Sequence, residues 1–392
     1  MNNFIFLDVQ ETWEDLLPLT YTRSITDIRV GILTIKNKWE LHLKTQFSHI
    51  CTHYLAEKYK LVLADDSIVI NSSVLPDIEL INEINNLKQN QALFSNDTFI
   101  AFSGKPGDYL NAFANFEIKK YQSNVIFIKN LWDIFLFNSH EIVKDFHLLT
   151  ENRTSEIISK SNRVFGKHPV FLEAGARAEC AVFNTENGPV YLAKDSFVME
   201  GSLIQGPFAL GEASHVKLGS KIYPGSSIGP HCKVGGELNN VVFFGYSNKA
   251  HDGFLGNAVI GEWCNIGADS NNSNLKNTYE NVKVWNYRKK AFVNSGLQFC
   301  GLFMGDHSKC GINTMFNTGT CIGVSANIFG AGFPRTFIPS FSWGGPGGIT
   351  TYKTDKAFES MQLVMERRKC ILSEADKKIL QHIFDAEAQY RH

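Results

Sequence analysis

An excess of charge of either sign, membrane-length apolar runs and paired cysteines are all missing from this sequence. Its 38 Lys and Arg offset 39 Asp and Glu to a formal charge of -1, so no global field favours nucleic acid or an anionic membrane surface. Any anionic ligand must be gripped locally. No apolar run approaches the ~18 residues that a membrane helix needs. The opening MNNFIFLDVQETWEDLLPL has no basic start, no long apolar stretch and no small-residue cleavage site. A soluble, cytoplasmic protein is expected. Eight cysteines are spread from Cys51 to Cys370 without a CxxC pair, which excludes a structural zinc site of that type and suits reduced thiols acting as small hydrophobes. At 392 residues the chain is too long for one ordinary core and predicts two or three units.

What is present is a repeat. Leu192, Val198, Ile204, Leu210, Val216, Ile222, Ile228 and Val234 fall in one unbroken six-residue phase. At the chain's 44% hydrophobic content, eight such hits would arise by chance about once in a thousand tries. After a short slip the phase is expected to resume at Val242, pass through Phe254, Ile260 and Ile266, break at an asparagine-rich loop, and return at Met304, Cys310, Phe316, Ile322 and Ile328. Neither a helix at 3.6 nor a flat strand at 2.0 accounts for sixes. A chain that turns a corner every six residues does, with one aliphatic per face filling the axis and glycines such as Gly211, Gly229 and Gly267 taking the strained corner backbone. Three faces close one coil of a parallel β-helix, the hexapeptide-repeat solenoid, predicted over residues 165–348.

Upstream, NFIFLD, KLVLADDSIVI and NVIFIKN read as strands. GILTIKNKWELHLKTQF, PDIELINEINNLKQNQ and NLWDIFLFNSHEIVKDFHLLTE read as helices. The alternation predicts an α/β domain over residues 1–150, a polar connector over 151–164, and a helical arm over 349–392 from its helical spacing and charge pairs.

One histidine, His251, stands in the stretch KAHDGFLGNAVIGEWCNIGADSNNSN (residues 249–274) of the repeat. An imidazole, with an ordinary pKa of ~6.5, is the usual base for taking a proton from an amine attacking an acyl group, and His251 offers one here. The bland reading is a polar residue on a turn. Lys249 adds charge that suits a phosphate and biases the imidazole towards neutral. The amides of Asn265, Asn271, Asn272 and Asn274 suit sugar hydroxyls or an acyl carbonyl, or equally turn formation.

The 249–274 stretch resembles the acetyltransferase site of the bifunctional N-acetylglucosamine-1-phosphate uridyltransferase and glucosamine-1-phosphate N-acetyltransferase family, the GlmU-like enzymes. The resemblance implies a left-handed β-helix and a homotrimer with sites between neighbouring prisms. It also implies that His251 is the general base, that Asn265 and Asn274 contact substrate, and that Ala268 lies beside acetyl-coenzyme A. In FVNSGLQ it implies that Ser295 helps to hold the reacting acyl group and cofactor. The sequence departs from the family where sugar-contacting tyrosines become Phe254 and Leu275 and a phosphate-gripping arginine becomes Leu210. Tyr246, Lys249, His307 and Lys309 are the candidates for replacement contacts.

The front half resembles the family's Rossmann-like nucleotidyltransferase domain, in a divergent branch with a TRxxxDIRVGxxTI opening, here residues 22–35. It keeps PLT at Pro18–Thr20 but loses the phosphate-loop glycines, and Ser72 or Ser73 stands where the family has a metal-binding aspartate. Magnesium and uridine triphosphate are implied, with Thr20, Arg23 and Arg29 as the nucleotide-contacting candidates and no readable metal-ligand set. Sugar phosphate and nucleotide are thus the expected partners. Two alternatives stay open. One is a nucleotide-sugar-binding sensor or scaffold without turnover; the other is a zinc-dependent, carbonic-anhydrase-like hexapeptide protein using His215, His231 and His251.

Overall fold

The Asn3–Leu7 segment is apolar from Phe4 onward and buried there, so it forms an interior strand, β1. It pairs in parallel with β2 (Ser48–Ile50) and β3 (Ser67–Asn71). Strands β4 (Gln91–Ser95), β5 (Thr98–Gly104) and β6 (Glu117–Lys120) complete a mixed, Rossmann-like sheet in the order β2-β1-β3-β5-β4-β6, with β5 antiparallel to both β3 and β4. Helices α1 (Gln10–Asp15), α2 (Ile35–Leu43) and α3 (Ile78–Asn85) lie between the strands. The second and third are capped by the Thr34 and Asp77 side chains, which accept from the Asn37 and Leu80 amides. Ile5, Leu7, Val69, Ala92, Phe99 and Phe102 pack as one core beside the sheet.

The computed structural model describes residues 3–64, 67–111, 113 and 115–391. It divides into two units. One comprises Met1–Leu16, Thr22–Ile28 and Leu33–Asn130; the other comprises Leu17–Tyr21, Arg29–Ile32 and Leu131–His392. The break therefore falls at residue 130, ahead of the boundary expected at 150, because helix α4 (Asp133–Thr150) packs on the solenoid. Its Phe135 ring stacks on Phe303, and its Asn138 amide donates to the Gly225 carbonyl at 2.7 Å. The NVIFIKN segment makes only a single bridge, Val74 to Phe127. The Ser73 N–H that would extend that ladder donates to Asn71 Oδ1 instead.

The solenoid is parallel and in register. One inward column runs Leu172, Leu192, Leu210, Ile228, Phe243, Ile260, Met304, Ile322 and Ile338. A second begins Ala178, Val198, Val216 and Val234. All eight residues of the unbroken sequence phase are buried in the solenoid core. In the slip, however, the inward residues are Leu238, Phe243 and Leu255, while Phe254 is half-exposed. The coil from Ile228 to Phe243 is fifteen residues, which moves the phase by more than the slip assumed.

The corner backbone also differs from expectation. One row of left-handed corners is filled by His231, Tyr246, Trp263 and His307, with φ of 53 to 62°, while glycines such as Gly201 and Gly219 take others; Gly229 and Gly267 are needed for space. A Cβ at Gly229 would stand 2.0 Å from the Phe244 carbonyl oxygen of the next coil, and one at Gly267 would stand 2.4 Å from that of Gly311. Buried serines fasten successive coils: Ser214 Oγ donates to the Gly229 carbonyl and accepts from Cys232 N–H, and Ser247 and Ser308 repeat the arrangement on later coils. Helices α5 (Thr354–Glu366) and α6 (Glu374–Ala386) form the expected arm. No helix among the described residues is long and apolar enough to cross a membrane.

The DIRVG motif closes against α4. Gly31 N–H donates to Asn138 Oδ1 at 2.6 Å and Ile32 N–H to Asp145 Oδ2 at 2.8 Å. Gly31 has a φ of 86°, and a Cβ there would meet Asp145 Oδ2 at 2.4 Å. Gly31→Ala is therefore expected to destabilise the protein by about 1–3 kcal/mol, read as a lower urea midpoint.

Candidate active site

Residues one position before the inward anchors of the second column face outward, because successive side chains on a strand alternate. Coil register then stacks Lys233, Asn248, Asn265 and Lys309 as neighbouring rungs. At the adjoining corner the left-handed residues form a ring stack. His231 lies 4.8 Å from Tyr246, Tyr246 lies 4.2 Å from Trp263, and Trp263 lies 6.3 Å from His307, with interplanar angles of 24°, 15° and 8°. Between rungs and rings opens a pocket of about 770 Å³, closed on one side by Val364, Arg367 and Arg368 of the arm.

His251, Asn265, Ala268, Tyr246 and Lys309 all line this pocket. His251 is exposed on the turn after the Asn248–Lys249 strand. The base, the sugar-type amide and the acyl-donor position expected from the sequence thus share one cavity. Asn274 and Ser295 are not among its lining residues. Asn274 donates to Asn257 Oδ1, and the Ser295 hydroxyl donates to the Val282 carbonyl at 2.8 Å. His307 is buried within the ring stack.

Lys249 departs most from expectation. It pairs with Val234, and so occupies the inward position of its coil, fully buried among aliphatic anchors. Its ammonium does not face the pocket; it donates to the carbonyls of His251 and, at 2.7 Å, Asp252. The charge therefore fixes the turn that presents His251. Burial pushes the Lys249 pKa down to about 8. Sequence reasoning missed Lys233, Asn248, Trp263, Arg367 and Arg368, although a reading of the position before each anchor would have found the first.

In the front unit a second pocket, about 680 Å³, sits where β1 and β3 end and is lined by Val9, Glu11, Asn71, Phe94, Asp97 and Lys129 among others. The nucleotide candidates do not gather there. Thr20 and Arg23 are buried, and Thr20 and Arg29 belong to the solenoid's unit. Arg29 Nε donates to the Phe244 carbonyl, and its other arm reaches Ile32 O. TRSITD instead builds a buried polar network. Ser24 donates to Asp8, Thr26 bonds His49, and Tyr59 donates to Asp27. Burial raises the Asp8 carboxyl to about 7. Ser72 and Ser73 are buried as well. His215, His231 and His251 lie on a face, a corner and a turn respectively, and no three His, Cys, Asp or Glu among the described residues form a metal-ligand group.

Lys249→Met, which keeps the apolar volume and deletes the charge, is expected to raise amide hydrogen exchange at residues 251–253 while the solenoid stays folded. The folded-state pKa of about 8 lies below the ordinary lysine value of 10.5. The unfolded chain therefore holds more protons between these values, and the stability of the native sequence rises with pH across that window. The Met variant should lack that rise, checked by urea unfolding at pH 8 and pH 10.

Residues 4–154 match the family model described as sugar nucleotidyl transferase. A bifunctional sugar-1-phosphate nucleotidylyltransferase/acetyltransferase of Sulfurisphaera tokodaii is 26% identical over 265 residues, 67% of this chain and 61% of that protein. The aligned part of the chain thus spans about three-fifths of the relative's length. Among solved structures, an Arabidopsis UDP-N-acetylglucosamine acyltransferase aligns over 60% of this chain and 99% of its own, at 14% identity and a TM-score of 0.23. One from Campylobacter jejuni aligns over 57% and 95%, at 10% identity and a TM-score of 0.24. The front of the chain is thus similar to sugar nucleotidyltransferases, and two-thirds of the whole chain to a bifunctional nucleotidylyltransferase/acetyltransferase.

Proposed function

We propose that this chain is a cytoplasmic sugar-nucleotide enzyme whose solenoid transfers an acetyl group from acetyl-coenzyme A to the amine of an amino-sugar 1-phosphate, glucosamine 1-phosphate first among them. The observation that carries this reading is the convergence of His251, Asn265 and Ala268 on one pocket, with the His251 turn held by a buried ammonium. His251 takes the proton from the sugar amine as its nitrogen attacks the thioester carbonyl. The tetrahedral intermediate then collapses, the C–S bond breaks, and coenzyme A leaves as the thiol by taking the proton held on His251. Asn265 orients the sugar, and the half-exposed Ala268 leaves room for the acyl chain. Since Ser295 and Asn274 lie away from the pocket of their own chain, their expected roles require a neighbouring copy in a homotrimer.

For the front unit the proposal is uridylyl transfer from uridine triphosphate to the sugar 1-phosphate, giving UDP-N-acetylglucosamine; it rests on the family match of residues 4–154. The position where the family has a metal-binding aspartate does not fit that ion, since Ser72 and Ser73 carry no charge and are buried. That misfit, with Arg23 and Thr20 buried, favours a second reading for this half: nucleotide-sugar binding without turnover.

With acetyl-coenzyme A and glucosamine 1-phosphate, the protein is expected to release free thiol, and His251→Ala to lower the rate by at least a hundredfold with the fold unchanged by circular dichroism. Thiol release that survives in His251→Ala would remove the histidine from the mechanism. Pyrophosphate release from uridine triphosphate with magnesium and N-acetylglucosamine 1-phosphate decides between the two front-half readings.

A further inference from the structure

The pocket beside His251 is far more basic than the chain. Lys233, Lys309, Arg367 and Arg368 line it, and no Asp or Glu is among the described lining residues, although the whole sequence is balanced at -1. Two of the cations come from the arm. Arg367 follows the last turn of α5, where a cation is favoured by the helix dipole alone. Arg368 goes further: its guanidinium crosses to the solenoid and donates to the His231 carbonyl at 3.3 Å, leaving other N–H groups of its fork for a ligand. Lys233 stands in register with Asn248. Asn248 Oδ1 is buried in this wall without a hydrogen-bond partner.

The crowding is electrostatically unfavourable as it stands. Burial lowers the Lys233 pKa, and Arg368, Lys217 and Arg367 lower it further. Burial also lowers the His215 pKa, and Lys233, Lys217, Arg368 and Arg177 lower it further. Like charges held together in a concave, partly desolvated wall are relieved by a bound anion. The family's phosphate-gripping position is Leu210, which is fully buried in the solenoid core, so it supplies no such contact.

We propose that Arg367 and Arg368 of the C-terminal arm, with Lys233 of the solenoid, anchor the phosphate ester of the ligand whose reacting end lies at His251. This rests on the acyl-transfer reading and adds that the arm is part of the site. Register sets the scale. Lys233 and Lys309 are three strand spacings apart, roughly 14 Å, with Asn248 and Asn265 between them. The ligand is therefore extended, with its anionic group towards the arm. A phosphate ester reaches this pocket from either of two sources, the acceptor sugar or the nucleotide of the acyl donor.

Calorimetric titration of the full-length protein separates them. Glucosamine 1-phosphate is compared with glucosamine, and coenzyme A and adenosine 3′,5′-bisphosphate are compared with pantetheine. In Arg367→Gln/Arg368→Gln and in Lys233→Gln, one phosphorylated series should weaken by about tenfold or more, as expected for lost charge-assisted hydrogen bonds. Its uncharged counterpart should change by less than about twofold, and wild-type affinity should fall with added salt. Loss confined to the sugar phosphate identifies the acceptor; loss confined to coenzyme A and the bisphosphate identifies the donor. Melting temperature verifies that each variant is folded. If the double variant is not, the single substitutions carry the comparison.

The anchor is overturned if the folded variants bind both series like wild type, or if wild type binds phosphorylated ligands no tighter than their counterparts. Phosphate-dependent binding without thiol release would overturn acetyl transfer and leave the anchor standing. His251-dependent thiol release undiminished at sub-saturating substrate in the arginine variants would do the reverse.

Discussion

Vertical registration of the coils governs the rest of this structure. Each backbone N–H on a solenoid face bonds the carbonyl of the coil beside it, so a residue's neighbours are its counterparts one coil away. Inward anchors become aliphatic columns, buried serines become staples between coils, and residues before the anchors become outward ladders. Lys233, Asn248, Asn265 and Lys309 are far apart in the chain, and share a wall only because the columns hold them in line. The same closeness dictates where glycine is required, since a methyl group at Gly229 or Gly267 would overlap the next coil's carbonyl.

Against that regularity, one departure lies two residues from His251. An ammonium replaces an aliphatic in the inward column at Lys249, although an unpaired buried charge is among the most expensive substitutions a core can contain. Its donors find two carbonyls of the following turn, so the cost of burial is offset by fixing the loop that bears the histidine. At the neighbouring corner, bulky aromatic and imidazole residues take left-handed backbone that side chains normally avoid. Stacking of their rings offsets part of that strain.

The front half shows how a dense polar motif can be engaged by the fold that surrounds it. TRSITDIRVG has the charged and small residues of a phosphate loop, but its serine and threonine satisfy Asp8 and His49, and its glycine admits a close approach to α4. Buried polar groups need partners, and a dense polar motif serves that need as readily as it serves a ligand. Burial is what separates the two cases, and it is invisible in a linear string.

By itself the sequence determined the solenoid, its core anchors from Leu192 to Val234, the helical arm, and His251 as the residue to examine. These follow from short-range periodicity, which survives because each coil repeats the same local geometry. Tertiary structure alone decided the rest. Coils of fifteen and seventeen residues reset the phase after Ile228 and turned Lys249 inward, Ser295 was drawn into its own hairpin loop, and the arm was folded back to set Arg367 and Arg368 beside Lys233. Coil length, loop course and the docking of a distant helix depend on contacts between residues remote in sequence, and no local pattern encodes which of those contacts form.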